Sequence, residues 1–561
     1  MRSNSSPLTE PVCIPGLKAR FALAPLVHVA LSAAMVVVAM LHLYPTMIAP
    51  LNIYDEGIIV YGATRVMHGE IPYRDFWTQY SPGQLYALAG LFRLFGVQIA
   101  VERWWDVVIR ALLALAMFAL AGWLTTRGAA LIAWLIGALW VAYYGFFGYP
   151  IFAGLLFSLF SIYALLRGLT SGIASGSRDP GGRPLALDRR WFLMGGLALG
   201  VAALFRHDMA IYCAAAQMVV GLPFAFVTRT PAGRPVAERI FAIMRMTLPF
   251  VVGTLVLVAP ALAFFAVSAS PVALAQQLFI FPLTEFPKVR DLPYPKLDGS
   301  VDNLQFYAPF LVYPLAVVVA ILRARHDRAA APQAWGVAMV ALFGLFGFNQ
   351  ARVRSDTIHT VHFFLVAVVL LPVLLRGCAP AARGLSVIVA SIGLVLTVAT
   401  AVNPIAHYIG VIESRPAAER DQRMMLPIGL PGRTSAQQTM AVVTLQRLTA
   451  PDERIYVGLS RHDRVFANDA MFYFLAQRPS ATRYHELHPG LTNTLPVQQE
   501  MVADLERHKV RYVVLTNIFE GAQEPNDSAL STGVTLLDDY IARHYRTTDV
   551  IGPYRILVRR P

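Results

Sequence analysis

The chain contains a succession of long apolar runs, at 22–48, 107–124, 129–147, 150–167, 191–205, 209–227, 246–268, 305–322, 333–348, 358–375 and 384–402. A hydrocarbon core about 30 Å thick takes about 20 apolar residues as a helix. In lipid, only helices and closed barrels satisfy every backbone polar group. The runs therefore predict a polytopic α-helical membrane protein with about eleven transmembrane helices, the shortest at 191–205 and 333–348. Composition agrees: 56% of residues are hydrophobic, 14% are charged, and the mean hydropathy is +0.53. A soluble domain carries about 25% charged residues, and a disordered one combines low hydrophobicity with high charge, so both classes are excluded. The first run follows Lys18 and Arg20 like a signal peptide, but it is too long for one and reads as an uncleaved anchor.

The net charge is +13, from 47 Lys+Arg against 34 Asp+Glu. In a soluble protein this would point to nucleic acid; here the distribution points to a membrane and no nucleic acid. Basic residues of short loops stay on the cytoplasmic side. With the tail 1–21 inside, the inner loops hold Arg127; Arg167, Arg178, Arg183, Arg189 and Arg190; Arg229, Arg234, Arg239 and Arg245; Arg323, Arg325 and Arg328; and Arg376 and Arg383. Their acids are Asp179, Asp188, Glu238 and Asp327. The other side collects Asp55, Glu56, Glu70, Asp75, Glu102, Asp106, Asp208, Glu285, Asp291, Asp298, Asp302 and Asp356. An odd helix count then sends the C-terminal segment outside. The Ala/Arg-rich composition and short loops point to a bacterial inner membrane with this segment in the periplasm.

Past residue 402 polar residues return. A linker rich in Pro, Arg and Gly, 403–435, leads to a segment, 436–561, whose short apolar runs alternate between strand and helix patterns. Ile455–Leu459, Val510–Leu515 and Tyr554–Val558 read as strands, and Ala470–Gln477, Val497–His508 and Leu530–Tyr545 as helices. This predicts a small extracytoplasmic α/β domain. It has no Gly-rich phosphate loop, no metal spacing and no nucleophile elbow, and the chain shows no internal repeat. Cys13, Cys213 and Cys378 are too few and too scattered for a disulfide framework or a zinc site.

The membrane region, 22–402, includes an outer loop, 49–106, too long for a plain connector. It is aromatic, punctuated by Gly and Pro, and amphipathic, which predicts short helices at the membrane interface. Asp55 and Glu56 follow the first helix closely. A carboxylate against a low-dielectric surface has a raised pKa and suits a general base. The competing reading is an N-cap, with Asp55 opening a helix through Gly57–Val66.

Asn52-Ile53-Tyr54-Asp55-Glu56-Gly57, then Gly69-Glu70-Ile71-Pro72-Tyr73-Arg74-Asp75-Phe76, then Tyr80-Ser81-Pro82-Gly83, resembles the first outer loop of the GT-C glycosyltransferases. The branch it resembles holds the protein O-mannosyltransferases and aminoarabinose transferases. The resemblance is most specific in this loop and extends loosely to about 375. It implies an inverting transferase that moves a sugar from a polyprenyl-phosphate donor to a lipid, glycan or protein acceptor on the outer face. Asp55 then matches the catalytic carboxylate and Glu56 its acidic neighbour, and Tyr80 joins the substrate-binding candidates. A divalent cation is a possible cofactor, with no metal ligands assigned. One departure matters: the aminoarabinose branch has a lysine where this chain reads Gln79-Tyr80-Ser81-Pro82-Gly83, so that phosphate contact must come from elsewhere and donor identity does not carry over.

Candidate phosphate cations stand at other outer helix ends. Arg206-His207-Asp208 follows Gly195–Phe205, near the place of a family lysine; the competing reading is a surface turn. Arg352 and Arg354, in Asn349–Asp356, break the positive-inside pattern, and the guanidinium fork suits phosphate. His359 and His362, three apart, are expected on one helix face as further donors; a solvated helix cap is the alternative. The outer loop 269–304, rich in proline, aromatic and charged residues, reads as a mobile cover. Two other function classes compete. A transporter or flippase predicts inverted repeats and charged broken helices, and a plain anchor leaves the folded first loop without a purpose.

Overall fold

The computed structural model describes residues 15–145, 147–171, 188–230, 233–298, 300, 303–378, 383–420 and 434–561. Cys13, Arg178, Asp179, Arg183, Asp302, most of the N-terminal tail and 421–433 of the predicted linker lie outside them.

Every predicted apolar run lies on a helix. The membrane region begins with α1 (Pro15–Leu43), continued by a 3-10 turn to Ile48. After α2 (Asp55–Met67) and α3 (Gly83–Phe95) come α4 (Ile99–Leu124), α5 (Arg127–Tyr143), α6 (Ile151–Thr170) and α7 (Arg189–Phe205). α8 (His207–Ala216) continues through a π turn into α9 (Leu222–Arg229), and α10 (Val236–Ser268) follows. Three short helices, α11 (Pro271–Ala275), α12 (Phe281–Thr284) and α13 (Phe286–Arg290), fill the loop before α14 (Leu304–His326), α15 (Ala331–Val353), α16 (Val361–Leu375) and α17 (Arg383–Arg420). Eight of these helices are long and apolar enough to cross a membrane by length and composition; α5 and α16 are shorter apolar helices. The interior of this bundle is packed through small residues, as membrane helices require. A Cβ on Gly196 of α7 would stand 1.9 Å from the Phe250 carbonyl oxygen of α10.

Two boundaries differ from the sequence reading. α4 starts at Ile99, two turns before 107, because Arg103, Asp106 and Arg110 find hydrogen-bond partners inside the protein. α17 runs to Arg420, well into the predicted linker, because apolar residues such as Ile405, Ile409 and Ile412 continue past Pro404.

The C-terminal domain opens with α18 (Ala436–Leu448), then β1 (Tyr456–Leu459), α19 (Met471–Ala476), α20 (Leu495–Arg507), β2 (Tyr512–Thr516), α21 (Leu536–His544), β3 (Tyr545–Ile551) and β4 (Tyr554–Arg559). The sheet order is β1-β2-β4-β3, with β1 and β2 parallel and the other pairs antiparallel. The sequence reading missed α18 and β3. β3 is a largely exposed edge strand, so its residues lack the apolar run that marks a strand.

α2 and α3 form the layer between the two regions. Ile59, Val60, Leu85 and Leu88 share one hydrophobic core with Ala441, Ile455, Met471, Phe472 and Val514 of the C-terminal domain. The approach is close at Gly57, where a Cβ would lie 2.4 Å from the Met471 backbone nitrogen, which itself donates to the Ile53 carbonyl at 2.9 Å.

From below, charged residues of α4 fix the same layer. Arg103 is fully buried and donates from Nε to Glu56 Oε1 at 2.8 Å and from Nη2 to Glu56 Oε2 at 3.1 Å. Its Nη1 donates to the Met47 and Ala49 carbonyls at 2.6 and 2.7 Å. Two turns along, Arg110 Nη1 donates to the Val141 and Tyr144 carbonyls, and between them Asp106 Oδ2 accepts from the Gly148 N–H at 2.8 Å. The Phe147 ring lies 4.6 and 4.8 Å from the two guanidinium carbons. α4 thus ties down both the entry to α2 and the loop before α6.

Two tests follow. Arg103→Met leaves Glu56 buried and uncompensated, which costs about 3–5 kcal/mol; thermal unfolding in detergent should show a large fall, partly recovered by adding Glu56→Gln. Gly57→Val should destabilise by at least about 1–3 kcal/mol through overpacking, whereas Gly90→Ala, with open space around its Cβ, should be neutral or stabilising.

Candidate active site

Asp55 is the first residue of α2, yet it is not the cap. Asn52 Oδ1 accepts from the backbone N–H groups of Tyr54 and Asp55 at 3.1 and 2.9 Å. Asn52 thereby does the work that the N-cap reading gave to Asp55. The Asp55 carboxylate is left half-buried, with Asn52 Nδ2 donating to its Oδ2 at 3.0 Å. Its Oδ1 accepts no hydrogen bond among the described residues. Burial pushes this carboxyl up from its ordinary range; the Asn52 hydrogen bond and the charges of His359 and Arg290 pull it partway back, and Asp356 adds to the rise.

Glu56, its neighbour, has a different role. It is 1% exposed, and both its oxygens are engaged, by Arg103 and by the Asn52 N–H at 2.9 Å. The expectation of a catalytic Glu56 is corrected: it pins the chain that presents Asp55.

The predicted cations divide into fasteners and site residues. Arg206 stands in the break between α7 and α8, its guanidinium carbon 5.7 Å from the Tyr149 ring centroid. Its Nε and Nη2 donate to Asp208 at 3.0 and 2.7 Å. Tyr149, edge-on to Tyr80 with centroids 6.1 Å apart, senses the charges of Arg206, Asp55 and Asp356 together, which brings these residues to one place. Tyr80 is held by its backbone, its carbonyl accepting from the Tyr73 hydroxyl at 2.8 Å. His207 is not a substrate donor here: its Nδ1 lies 2.8 Å from Ser81 Oγ and its Nε2 2.9 Å from the Leu278 carbonyl, so it staples the first loop to the α11–α12 segment.

Arg354 closes α15 and reaches across to the C-terminal domain. Nε donates to Asp356 Oδ2 at 2.8 Å, and Nη1 and Nη2 donate to the Glu524 carboxylate at 2.8 and 2.5 Å. Nη1 also donates to the Arg290 carbonyl at 2.9 Å. A guanidinium matched by two carboxylates is a clamp, which corrects the expectation that Arg354 is a phosphate donor. Arg352 is exposed and donates to Asn349 Oδ1 at 3.1 Å, outside the site. His359 and His362 do not share a helix face, because His359 lies in the turn before α16. His359 Nδ1 is 2.7 Å from Asp356 Oδ1, within the site. His362 is fully buried against Phe343, with neither ring nitrogen hydrogen-bonded, and belongs to the packing of the bundle.

Two residues escaped the sequence reading. Arg290, at the end of α13, is 6% exposed. It donates to the Phe466 carbonyl and stacks on the Phe466 ring at 5.1 Å, beside Tyr54. No carboxylate lies within ion-pair distance of it among the described residues. The segment that carries it is packed in place: Gln277 Oε1 accepts from the Thr78 N–H and Gln277 Nε2 donates to the Tyr73 carbonyl, both at 3.0 Å. The second is Glu486, a buried carboxyl that the C-terminal domain brings beside Tyr54, Asp55 and Arg290. A run of basic and acidic residues in a proline-rich loop, and a Glu between His485 and Leu487 in a polar segment, carry no signal of burial. No group of three His, Cys, Asp or Glu side chains placed to hold a metal ion occurs among the described residues. Asp356, a further acid near Asp55, is engaged by Arg354 and His359.

The sequence matches no protein-family model and no curated protein. Solved structures do match. ArnT from Cupriavidus metallidurans bound to undecaprenyl phosphate superposes with a TM-score of 0.54 at 13% identity, covering 94% of this chain and 97% of that one. Its apo form gives 0.53 at 14% identity, over 95% and 98%. The Archaeoglobus fulgidus oligosaccharyltransferase tethered with an acceptor peptide gives 0.52 at 12% identity, over 92% of this chain and 72% of that one. At such identities the likeness is one of fold: this chain shares the architecture of ArnT and of the oligosaccharyltransferase.

Proposed function

We propose that the chain is an inverting glycosyltransferase that takes a sugar from a polyprenyl-phosphate donor and passes it to a hydroxyl of a lipid, glycan or protein acceptor. The reaction sits on the face that carries the C-terminal domain, which the basic-residue pattern makes the outer one. The observation that carries this reading is Asp55, whose Oδ1 accepts no hydrogen bond among the described residues, close to Arg290, a buried guanidinium with no carboxylate at ion-pair distance among them. The neighbours support the donor class: ArnT is described with undecaprenyl phosphate and the oligosaccharyltransferase with a dolichol-phosphate.

Polyprenyl phosphate is already a good leaving group, so the reaction needs no general acid. Asp55 accepts the acceptor hydroxyl proton as that oxygen bonds to the anomeric carbon. The carbon–oxygen bond to phosphate breaks on the opposite face, and its electrons pass to the phosphate. Arg290 stabilises the charge that builds there, with Arg206 beside Tyr149 as the second cation. Arg354 and Asp356 hold His359 and the Arg290 backbone in place.

Purified protein in proteoliposomes, given a panel of radiolabelled polyprenyl-phosphate sugars and an envelope acceptor extract, tests this. Asp55→Asn should lose about 10²–10⁴-fold in turnover with an unchanged melting temperature, and Arg290→Ala about 10²–10³-fold. Wild-type transfer that survives Asp55→Asn overturns the base; no transfer from any donor overturns the class. The pH profile gives a separate check. The Asp55 carboxyl is held above its ordinary value and must be ionised to act, so the rate climbs with pH as it deprotonates. The acid limb of kcat/KM should therefore lie above the usual aspartate value of about 3.9, and Asp55→Glu should move it.

A further inference from the structure

The C-terminal domain supplies a carboxyl group to the site that the reaction just described does not use. Glu486 is 1% exposed, and its Oε2 has no hydrogen-bond partner. Its position is not slack. Asn468 Nδ2 donates to the His485 carbonyl and Asn468 Oδ1 accepts from the Leu487 N–H, both at 2.9 Å, so one side chain grips the backbone on either side of it. The His485 ring stands edge-on to Tyr61 and Phe76, with centroids 5.2 and 5.5 Å away. The Tyr54 hydroxyl donates to the Leu487 carbonyl at 3.4 Å. The charged and titratable groups facing Glu486 are Tyr54 and Asp55 from the start of α2, Tyr80 from the segment before α3, and Arg290 from α13.

Ionised, Glu486 would be a second negative charge beside Asp55 and a ready counter-ion for Arg290. Among the described residues, Arg290 instead has no carboxylate at ion-pair distance. Resting on the glycosyl-transfer reading, we propose that Glu486 is the neutral half of a carboxyl pair with Asp55: by keeping its proton it leaves Arg290 free for the donor phosphate. Glu486 is a positioning residue, and no bond to it forms or breaks during transfer. Burial and the Asp55 charge push its carboxyl up to about 8, with Arg290 and Tyr54 opposing. The sign follows: Glu486 is protonated at neutral pH and ionises as pH rises through about 8, and Arg290 is then lost to the phosphate.

The test is binding of a polyprenyl monophosphate to the full-length protein in nanodiscs, with wild type and Glu486→Gln compared from pH 6 to 10. Wild type should lose affinity above pH 8, whereas the amide, which cannot ionise, keeps it, so the ratio of the two dissociation constants changes about tenfold per pH unit there. A parallel loss in both proteins, no loss in wild type, or no binding at any pH overturns the proposal. Intact pH-dependent binding with no sugar transfer from any donor overturns the transfer reading alone. Infrared titration of wild type keeps the test independent of how the variant folds: a protonated-carboxyl band should vanish between pH 7 and 9, and its absence at pH 7 overturns the proposal.

Discussion

The Glu56–Arg103 pair is the interaction on which the site depends. A buried ion pair is seldom a net source of stability, since removing two charges from water costs several kcal/mol per ion. Here it does something an apolar contact cannot: Arg103 satisfies two carbonyls at the end of α1 and both oxygens of Glu56, and so fixes the only backbone route from the first helix to α2. Asp55 is adjacent to that anchor, and its height above the bundle is set by it. The second half of the α4 charge row does the same for the loop that carries Tyr149.

Above this layer the C-terminal domain is more than a cover. It shares a hydrophobic core with α2 and α3, ion-pairs through Glu524 with the end of α15, and brings Glu486 within electrostatic reach of Asp55. The candidate site therefore draws on both regions: the start of α2, the packed loop ending at Arg290, the α7–α8 break with Arg206, the turn before α16, and a loop of the α/β domain.

Much of this was legible in the sequence because lipid enforces simple rules. Long apolar runs had to be helices, and each is one. The strands β1, β2 and β4 announced themselves as buried apolar runs. The candidate site was legible only where a motif stood behind it: the first-loop motif pointed to Asp55, and Arg206, Tyr80 and His359 lie near that residue. Glu56, His207, Arg354 and His362 were misread for one shared reason: chain position does not say what a polar side chain meets. Each has its partner, or its packing, on an element distant in sequence, as Arg354 has in Glu524 and His207 in Leu278. Arg290 and Glu486 escaped for the converse reason, since nothing local marks a charged residue in a loop as buried.

The shared core also bears on how the chain is made. Tyr61 donates to the Arg478 carbonyl across 417 residues of sequence. Contacts of such span pay their loop-closure entropy late and slow folding. During synthesis α2 and α3 emerge first, and the half of their core that covers them is translated only after the remaining membrane helices. Their apolar faces must wait uncovered for most of that time, which makes the membrane surface, or a chaperone at it, a physical requirement of assembly.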